Sequence, residues 1–301
     1  MKVLLLGKSG MLGSYFLKHL AGDQDFEMYA FDRKNLDISS FPALEKVFKK
    51  ISPNLVINCA AYTKVDDCEK NIDEAFKINS RAAGVIAKVC NQENATLIHF
   101  STDYIFDGEN PNGYDENSEP NPINVYGHSK LGGENFIKAY TDDYYIIRTS
   151  WLYGKGGKNF VDTMMQLAKN KKSLDIVNDQ IGSPTYANDL VRNIIAYFLE
   201  PFLTGVERHH PLSIEKESKE EKHKLPYGTY HLSNSGQTSW ADFAKKIFEF
   251  SKMKVKVQPI SSEEYKTAAK RPAFSVLNNT KLPKIMRPWE DGLEAYLKLH
   301  F

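Results

Sequence analysis

Short apolar runs alternate with longer amphipathic stretches through the first half of the chain. The apolar runs lie at 3–6, 26–31, 55–58, 96–100 and 144–148. Between them, apolar residues recur at helical spacing, which predicts helices at 11–20, 41–50, 69–90 and 125–140. Short strands of this kind, separated by helices, are typical of parallel sheets that are buried on both faces. The pattern therefore predicts an α/β fold with a doubly wound parallel sheet of the Rossmann type.

The alternation weakens after Trp151. Helices are predicted at 159–170, 188–199, 239–250 and 289–299, and strands at 174–177, 228–233 and 254–259. Asn188 is the expected N-cap of the second of these helices. We expect residues 1–150 and about 187–233 to form the dinucleotide-binding domain, with a charged insertion at 204–227 that contains KESKEEKHK. Residues 151–186 and 234–301 are then expected to form a smaller α+β substrate-binding lobe.

Composition narrows the class of protein. The 301 residues include 39 basic and 38 acidic side chains, a balance that argues against nucleic acid or an anionic membrane surface as a partner. The N-terminal apolar run ends at Gly7 and is too short for a signal peptide. Three dispersed cysteines indicate reduced thiols, without a disulfide or zinc framework. We expect a cytoplasmic protein with no membrane segment and no metal site.

A glycine turn follows the first strand directly. Gly7, Gly10 and Gly13 give G-x-x-G-x-x-G, one residue longer at the first spacing than the usual dinucleotide fingerprint. Glycines in such a turn let the backbone approach a pyrophosphate, which the N-terminus of the next helix attracts. The turn, with Met11 and Leu12 inside it, is therefore predicted to bind the dinucleotide. A turn that merely joins strand to helix is the alternative.

Asp32 and Arg33 end the second predicted strand. An acidic residue there can hold the adenosine ribose hydroxyls, whereas a guanidinium can bind a 2′-phosphate. The two side chains favour opposite cofactors, so NADH and NADPH both remain open. Either residue also fits an ordinary charged turn.

Tyr126 and Lys130 lie four residues apart in NVYGHSKLGGE. That spacing places both side chains on one face of a helix. A phenol beside an ammonium has a lowered pKa and can exchange a proton with a carbonyl or alcohol oxygen. The spacing is also common in ordinary amphipathic helices, so other residues must support this interpretation.

Three separated segments provide that support. STDYIFDG at 101–108, NVYGHSK at 124–130 and RTSWLYG at 148–154 together resemble the dTDP-4-dehydrorhamnose reductases, of the extended short-chain dehydrogenase/reductase family. The resemblance covers most of the chain, including NCAAYTKVDDCE at 58–69, VNDQIGSPT at 177–185 and KRPAFSVLNNTKL at 270–282. The insertion at 204–227 has no counterpart in it.

The resemblance assigns roles to individual residues. It implies that Thr102 hydrogen-bonds the substrate carbonyl, that Tyr126 donates the proton, and that Lys130 holds the nicotinamide ribose and lowers the tyrosine pKa. It also implies cofactor contacts at Asp37, Ile38, Ala61, Tyr62 and Thr63, and substrate contacts at Asp103, Tyr104, Trp151 and residues 182–185. Thr102 could instead be a strand-end hydroxyl satisfied by backbone, and Trp151 fits a core position equally well.

The implied activity is reduction of dTDP-4-dehydro-L-rhamnose at C4 by NADPH or NADH. Two alternatives stay open: reduction of another nucleotide-linked 4-keto-6-deoxy sugar, and a non-catalytic role similar to the methionine adenosyltransferase β subunit. Some family members hold Mg²⁺ at a dimer contact through a glutamate early in the first helix. Tyr15 stands there in this chain, so a homodimer is open and no metal is expected.

Overall fold

The computed structural model describes residues 1–203 and 224–301. The charged insertion predicted at 204–227 lies outside these residues, apart from 224–227. The strands are β1 (Lys2–Leu6), β2 (Glu27–Phe31), β3 (Leu55–Asn58), β4 (Thr96–Thr102), β5 (Tyr144–Thr149), β6 (Leu152–Tyr153), β7 (Ser173–Val177), β8 (Ile181–Gly182), β9 (Thr185–Tyr186), β10 (Gly228–His231), β11 (Asn234–Ser235), β12 (Thr238–Ser239), β13 (Lys256–Ile260) and β14 (Met286–Pro288). The α-helices are α1 (Met11–Leu20), α2 (Phe41–Ile51), α3 (Val65–Cys68), α4 (Ile72–Phe76), α5 (Ala82–Gln92), α6 (Val125–Tyr140), α7 (Phe160–Ala168), α8 (Ala187–Ile194), α9 (Trp240–Phe250) and α10 (Trp289–His300).

A six-stranded parallel sheet forms the centre of the molecule, in the order β10-β5-β4-β3-β1-β2. The predicted α/β fold with a doubly wound parallel sheet is thereby confirmed. The chain starts in β1, adds β2 on one side, and then crosses to β3 on the other. Ligands of such sheets bind at this reversal, outside the carboxyl ends of the strands.

Both faces of the sheet are buried, as the apolar runs predicted. In β1, Val3 and Leu5 pack into one apolar cluster, whereas Leu4 and Leu6 pack into another on the opposite face. All four side chains are completely buried. Because successive side chains of a strand point to opposite faces, the single sheet packs against one layer of helices on each side.

The second half differs from the prediction in detail. The strand pair β7 and β13 is parallel, and α7, α9 and α10 lie close to the predicted positions. The two-residue strands β6, β8, β9, β11 and β12 and the three-residue β14 were not predicted, because so few residues show no periodicity. The assignment of residues to two domains stays a prediction.

The prediction that Asn188 caps a helix is wrong. Helix α8 begins earlier, and its N-cap is Tyr186, which makes no side-chain capping bond. The side chain of Asn188 instead lies against α1, where its Oδ1 is 2.7 Å from Nε2 of His19. The side-chain oxygen that a capping asparagine would use is therefore engaged in the contact between α1 and α8.

Within 1–203 and 224–301, no helix combines the length and apolar character that crossing a membrane requires.

Candidate active site

Two glycines of the turn after β1 are required by packing. Gly7 has a φ of +85°, and a Cβ there would lie 2.7 Å from the amide nitrogen of Ala60. A Cβ on Gly13 would lie 2.3 Å from the carbonyl oxygen of Gly7. Both distances are too short for any side chain. These glycines therefore let the turn and the start of α1 pack closely against each other and against the segment after β3.

Gly10 is different, because the surrounding protein does not require a glycine there. Its φ of −79° and ψ of 172° suit any residue, and an added Cβ would be 3.4 Å from the nearest atom, the oxygen of Gly7. Gly10 is also the N-cap of α1, and no side chain caps this end of the helix. The first-turn amides, including those of Met11 and Leu12, are thus left for an anion, which helix N-termini attract.

The predicted adenosine contacts follow β2. Asp32 is half-buried and Arg33 is exposed. Asp37 is exposed, and hydrogen bonds from the Ser39 side chain and backbone lower its pKa. Ile38 is buried in the apolar cluster beneath this loop. The structure therefore gives Ile38 a packing role and leaves three polar side chains accessible.

The loop after β3 carries the predicted residues Ala61, Tyr62 and Thr63, and it is fixed by Asn79. The backbone N–H of Tyr62 donates to Asn79 Oδ1 at 2.7 Å, and Asn79 Nδ2 donates to the Tyr62 carbonyl at 3.0 Å. Asn79 Nδ2 also donates to Ser129 Oγ on α6 at 2.9 Å. Sequence reasoning missed this buried residue, although an asparagine within an apolar helical stretch was a usable signal.

Helix α6 begins immediately before the predicted tyrosine. The side chain of Asn124 accepts from the Gly127 amide at 2.8 Å and so caps the helix. A Cβ on Gly127 would lie 2.0 Å from the carbonyl oxygen of Tyr104. This close approach brings Tyr126 against the segment that follows β4, with Lys130 one turn further along α6.

Thr102, at the end of β4, contacts three other predicted site residues. Its hydroxyl donates to Asp103 Oδ1 at 3.0 Å and accepts from the Tyr104 amide at 3.2 Å. The same side chain is a hydrogen-bond partner of Tyr126. The rings of Tyr104 and Tyr126 meet edge to face at 6.0 Å. The structure thus brings Thr102, Asp103, Tyr104 and Tyr126 together.

Thr149 adds a polar group next to this cluster. It ends β5 and is the register partner of Thr102 in the sheet. Its hydroxyl oxygen is buried and has no hydrogen-bond partner within the described part of the chain. Buried polar atoms are rarely left unsatisfied, so a ligand at this edge has a group to bond.

The pKa of Tyr126 moves in the direction opposite to the one predicted. Burial raises it, the hydrogen bond between Tyr126 and Thr102 lowers it less, and the charge of Asp103 raises it further. Lys130 is not among the groups that act on it. Tyr126 therefore holds its proton at neutral pH, and the effect of Lys130 on the tyrosine pKa stays a prediction.

Lys130 is buried and bound elsewhere. Its Nζ donates to the carbonyl oxygen of Phe100 at 2.5 Å and lies 3.2 Å from Nε2 of His99. Burial lowers the pKa of Lys130 to about 8. A group with this pKa is still mostly protonated at neutral pH, so Lys130 keeps its positive charge there.

Asp103 ties the cluster to the C-terminal segment. Its Oδ2 accepts from Ser275 Oγ at 2.6 Å, and burial raises the pKa of this carboxyl group to about 6. Nearby, Arg271 makes two hydrogen bonds to the carboxylate of Asp66, at 2.8 and 3.1 Å. Residues far apart in the chain thus close one side of the site.

Trp151 is held in a strained and crowded position. Its φ of +44° is rare for a bulky residue. Its indole stacks on Trp240 at 3.5 Å with the planes 3° apart, and a Cβ on Gly182 would lie 2.4 Å from its Cε2. The face against Trp240 is therefore unavailable, and the predicted sugar contact has to use the remaining exposed part of the ring.

The parallel sheet, the glycine turn after β1 and the tyrosine–lysine pair on α6 form an arrangement of the short-chain dehydrogenase/reductase type. More specifically, the chain belongs to the family described as RmlD substrate binding domain, whose model matches residues 1–300.

Similar proteins span nearly the whole chain. The spore coat polysaccharide biosynthesis protein SpsK of Bacillus subtilis is 37% identical over 300 residues, covering 99% of this chain and 97% of the relative. The dTDP-4-dehydrorhamnose reductase of Escherichia coli is 32% identical, covering 99% and 97%. A crystal structure of dTDP-4-dehydrorhamnose reductase from Bacillus anthracis in complex with NADP is 41% identical, with a TM-score of 0.88 and 99% coverage of both chains.

Proposed function

We propose that this protein is a dTDP-4-dehydrorhamnose reductase, which reduces dTDP-4-dehydro-L-rhamnose to dTDP-L-rhamnose with NADPH or NADH. The observation that carries the proposal is the contact of Thr102 and Tyr126 at the carboxyl edge of the sheet, beyond the glycine turn that follows β1. Relatives of this name match along nearly the full chain. The bound cofactor supplies a hydride to C4 of the sugar.

The residues present fit a dinucleotide. The fold does not require a glycine at position 10. The close approach of a pyrophosphate would explain why Gly10 stands there. The uncapped N-terminus of α1 would hold the phosphates. Asp32, Arg33 and Asp37 would contact the adenosine end, and the 61–63 loop would border the dinucleotide.

Exchanging Gly10 or Gly13 for alanine should separate binding from folding. Gly13→Ala is expected to destabilise the protein by about 1–3 kcal/mol, because its methyl group overlaps the Gly7 carbonyl. Gly10→Ala should leave the free energy of unfolding within about 0.5 kcal/mol. It should nevertheless weaken NADPH binding by about tenfold or more. Urea unfolding and cofactor titration by fluorescence measure both quantities; equal NADPH affinity for Gly10→Ala and the wild type would contradict the phosphate site.

Arg33 offers a test of cofactor preference. Arg33 is exposed two residues after the end of β2, and its guanidinium would suit a 2′-phosphate. Arg33→Ala is expected to weaken NADPH binding by about tenfold to a hundredfold and to leave NADH binding unchanged. The measurement is kcat/KM with each cofactor, with Lys34→Ala as the matched control. Equal losses with both cofactors would rule out recognition of the 2′-phosphate by Arg33.

We assign Tyr126 as the proton donor in this reaction. Its raised pKa keeps the hydroxyl protonated at neutral pH, so a proton is present for the alkoxide that forms at C4. Thr102 would orient the carbonyl, but its hydroxyl proton is directed to Asp103. The threonine must therefore rotate before it can donate to the substrate oxygen.

One purification and one panel of substrates distinguish the proposed function from its two alternatives. The purified chain is expected to oxidise NADPH at 340 nm with dTDP-4-dehydro-L-rhamnose and without a second protein. Faster turnover of a different nucleotide-linked 4-keto-6-deoxy sugar would reassign the substrate. No turnover with any sugar, together with co-elution with a methionine adenosyltransferase, would favour the regulatory role.

Three further expectations belong to the proposal. These are the division into a dinucleotide-binding domain and a substrate-binding lobe, assembly as a homodimer, and a cytoplasmic location.

Tyr15, which stands where some relatives have a metal-binding glutamate, packs edge to face on Tyr186 at 6.1 Å. Its hydroxyl accepts from the Lys155 amide at 3.2 Å, so in this chain the residue stabilises the core.

A further inference from the structure

The hydroxyl of Thr149 has no hydrogen-bond partner within residues 1–203 and 224–301, although its neighbours are firmly held. Thr149 is 8% exposed, and its Oγ1 is buried. On one side of it, Arg148 is paired with Glu134 at 2.8 Å. On the other side, Ser150 Oγ donates to the Ser183 carbonyl at 2.7 Å. The missing partner is therefore not the result of a loose segment, and it requires an explanation.

Two other buried hydroxyls in the described part of the chain also lack a partner, but each lies beside a carboxylate. Burial raises the pKa of Glu134, and the hydroxyl of Ser101 is among the groups that lower it. Burial and then the charge of Asp189 raise the pKa of Tyr153. Thr149 differs because it ends its strand at the carboxyl edge of the sheet, where ligands of such sheets bind.

Thr149 and Thr102 lie on the face of the sheet that α1 covers. Ile147 of β5 and Phe100 of β4 belong to the same apolar cluster as Phe16 of α1. Side chains two residues apart in a strand point to the same face, so Thr149 follows Ile147, and Thr102 follows Phe100. The two threonines are register partners on neighbouring strands, which lie about 4.8 Å apart.

The order of the strands gives the direction in which a dinucleotide would run. Asp32 and Arg33, the proposed adenosine contacts, follow β2, and the glycine turn follows β1. On its other side β1 is bonded to β3, and the sheet continues through β4 to β5. A cofactor with its adenosine beside β2 and its phosphates beside β1 would therefore carry its nicotinamide towards β4 and β5.

The chemistry of the proposed reaction narrows this position further. Hydride transfer beside Thr102 and Tyr126 needs the reactive carbon of the nicotinamide near these two residues. The carboxamide is bonded to the adjacent ring carbon, so it would lie near them as well. An amide offers N–H donors and a carbonyl acceptor, and a hydroxyl can pair with either. Thr149 supplies a hydroxyl of this kind on the strand next to Thr102.

We propose that the Thr149 hydroxyl binds the carboxamide of the nicotinamide ring and so fixes the orientation in which the ring faces the substrate. Thr149 contacts the cofactor in this arrangement and does not contact the sugar. The inference rests on the proposed function and adds one residue to its cofactor-binding set.

Thr149→Val is the first test, because it replaces the hydroxyl by a methyl group of similar size. Without cofactor, the midpoint of urea unfolding should stay the same or rise, since a buried hydroxyl without a partner does not favour folding. The affinity for NADP⁺, measured by calorimetry without sugar, should fall by about threefold to tenfold. Thr149→Ser keeps the hydroxyl and should bind NADP⁺ more tightly than Thr149→Val. A less stable Thr149→Val protein without cofactor would show that the hydroxyl has a partner inside the protein, and it would overturn the proposal.

Cofactor analogues test the carboxamide itself. The 3-acetylpyridine analogue of NADP⁺ lacks the amide N–H groups, and thio-NADP⁺ has sulfur in place of the carbonyl oxygen. With at least one of them, the loss of affinity caused by Thr149→Val should shrink to less than about twofold, because coupled partners are not additive. Ser101→Ala is the matched control, since it removes a buried hydroxyl that points to the opposite face of β4. It should leave the relative affinities for the three cofactors unchanged.

Two results would contradict the assignment of Thr149. One is an equal loss of affinity for all three cofactors, and the other is an unchanged cofactor affinity with a raised KM for the sugar, which would place the hydroxyl against the substrate. The titrations contain no sugar, so the inference and the proposed function can fail separately. Binding of NADP⁺ that depends on Thr149, in a protein that reduces no sugar, would support the inference and contradict the proposed function.

Discussion

Replacing Tyr126 by phenylalanine is expected to lower kcat by about a hundredfold or more. The substitution removes the hydroxyl that we assign as the proton donor and keeps the ring that packs edge to face on Tyr104. Because the ring stays, KM, cofactor affinity and the free energy of unfolding should change little. Steady-state kinetics at 340 nm, with cofactor titration and urea unfolding, measure these quantities.

Tyr140→Phe is the matched control for this variant. Tyr140 lies at the other end of α6, is 41% exposed, and stacks on Phe136. Loss of its hydroxyl should leave kcat unchanged. If Tyr126→Phe kept the wild-type kcat, the proton would have to come from another group, and the assigned role of Tyr126 would be wrong.

The largest effect on stability is expected from Glu134→Gln. Glu134 and Arg148 are both buried, and their side chains make two hydrogen bonds, at 2.8 and 3.0 Å. Burial raises the pKa of Glu134, but the hydrogen bonds and charge of Arg148 lower it more, so the carboxylate is ionised. Removing its charge leaves Arg148 uncompensated between β5 and α6. The expected loss is about 3–5 kcal/mol in the free energy of unfolding.

An exposed ion pair on another helix provides the comparison. Glu45 and Lys49 are 2.9 Å apart on α2, with much of both side chains in solvent. Glu45→Gln should therefore change stability by less than about 1 kcal/mol. Both variants are compared by urea unfolding at neutral pH. Similar small effects for Glu134→Gln and Glu45→Gln would show that the buried pair contributes little to folding.

The sequence was sufficient for the features that depend on neighbouring residues. The alternation of apolar runs with helical stretches predicted the central sheet, and the spacing of Tyr126 and Lys130 predicted one shared helix face. The glycine turn was also recognisable, because strand, glycines and helix follow each other directly. Such local patterns determine local structure, and a parallel sheet repeats them strand after strand.

The site depends on contacts that no local pattern reveals. Asn79 fixes a loop seventeen residues earlier and a serine fifty residues later, and Ser275 reaches Asp103 from near the C-terminus. His99 lies between two apolar residues in the middle of β4, and its contacts with Asn58 and Lys130 appear only when β3 and α6 are placed around it. The wrong expectation for the Tyr126 pKa has the same origin, since the spacing shows that Lys130 is near but not that it is buried and bound elsewhere.

The central claim is that the protein transfers a hydride from the nicotinamide to C4 of the sugar. The most direct measurement uses NADPH that carries deuterium at the transferring position of its C4, with dTDP-4-dehydro-L-rhamnose and the purified chain alone. NMR of the product should show one deuterium at C4 of dTDP-L-rhamnose for each cofactor oxidised. Cofactor oxidation without deuterium at C4, or no reaction in protein shown to bind NADPH, would contradict the account.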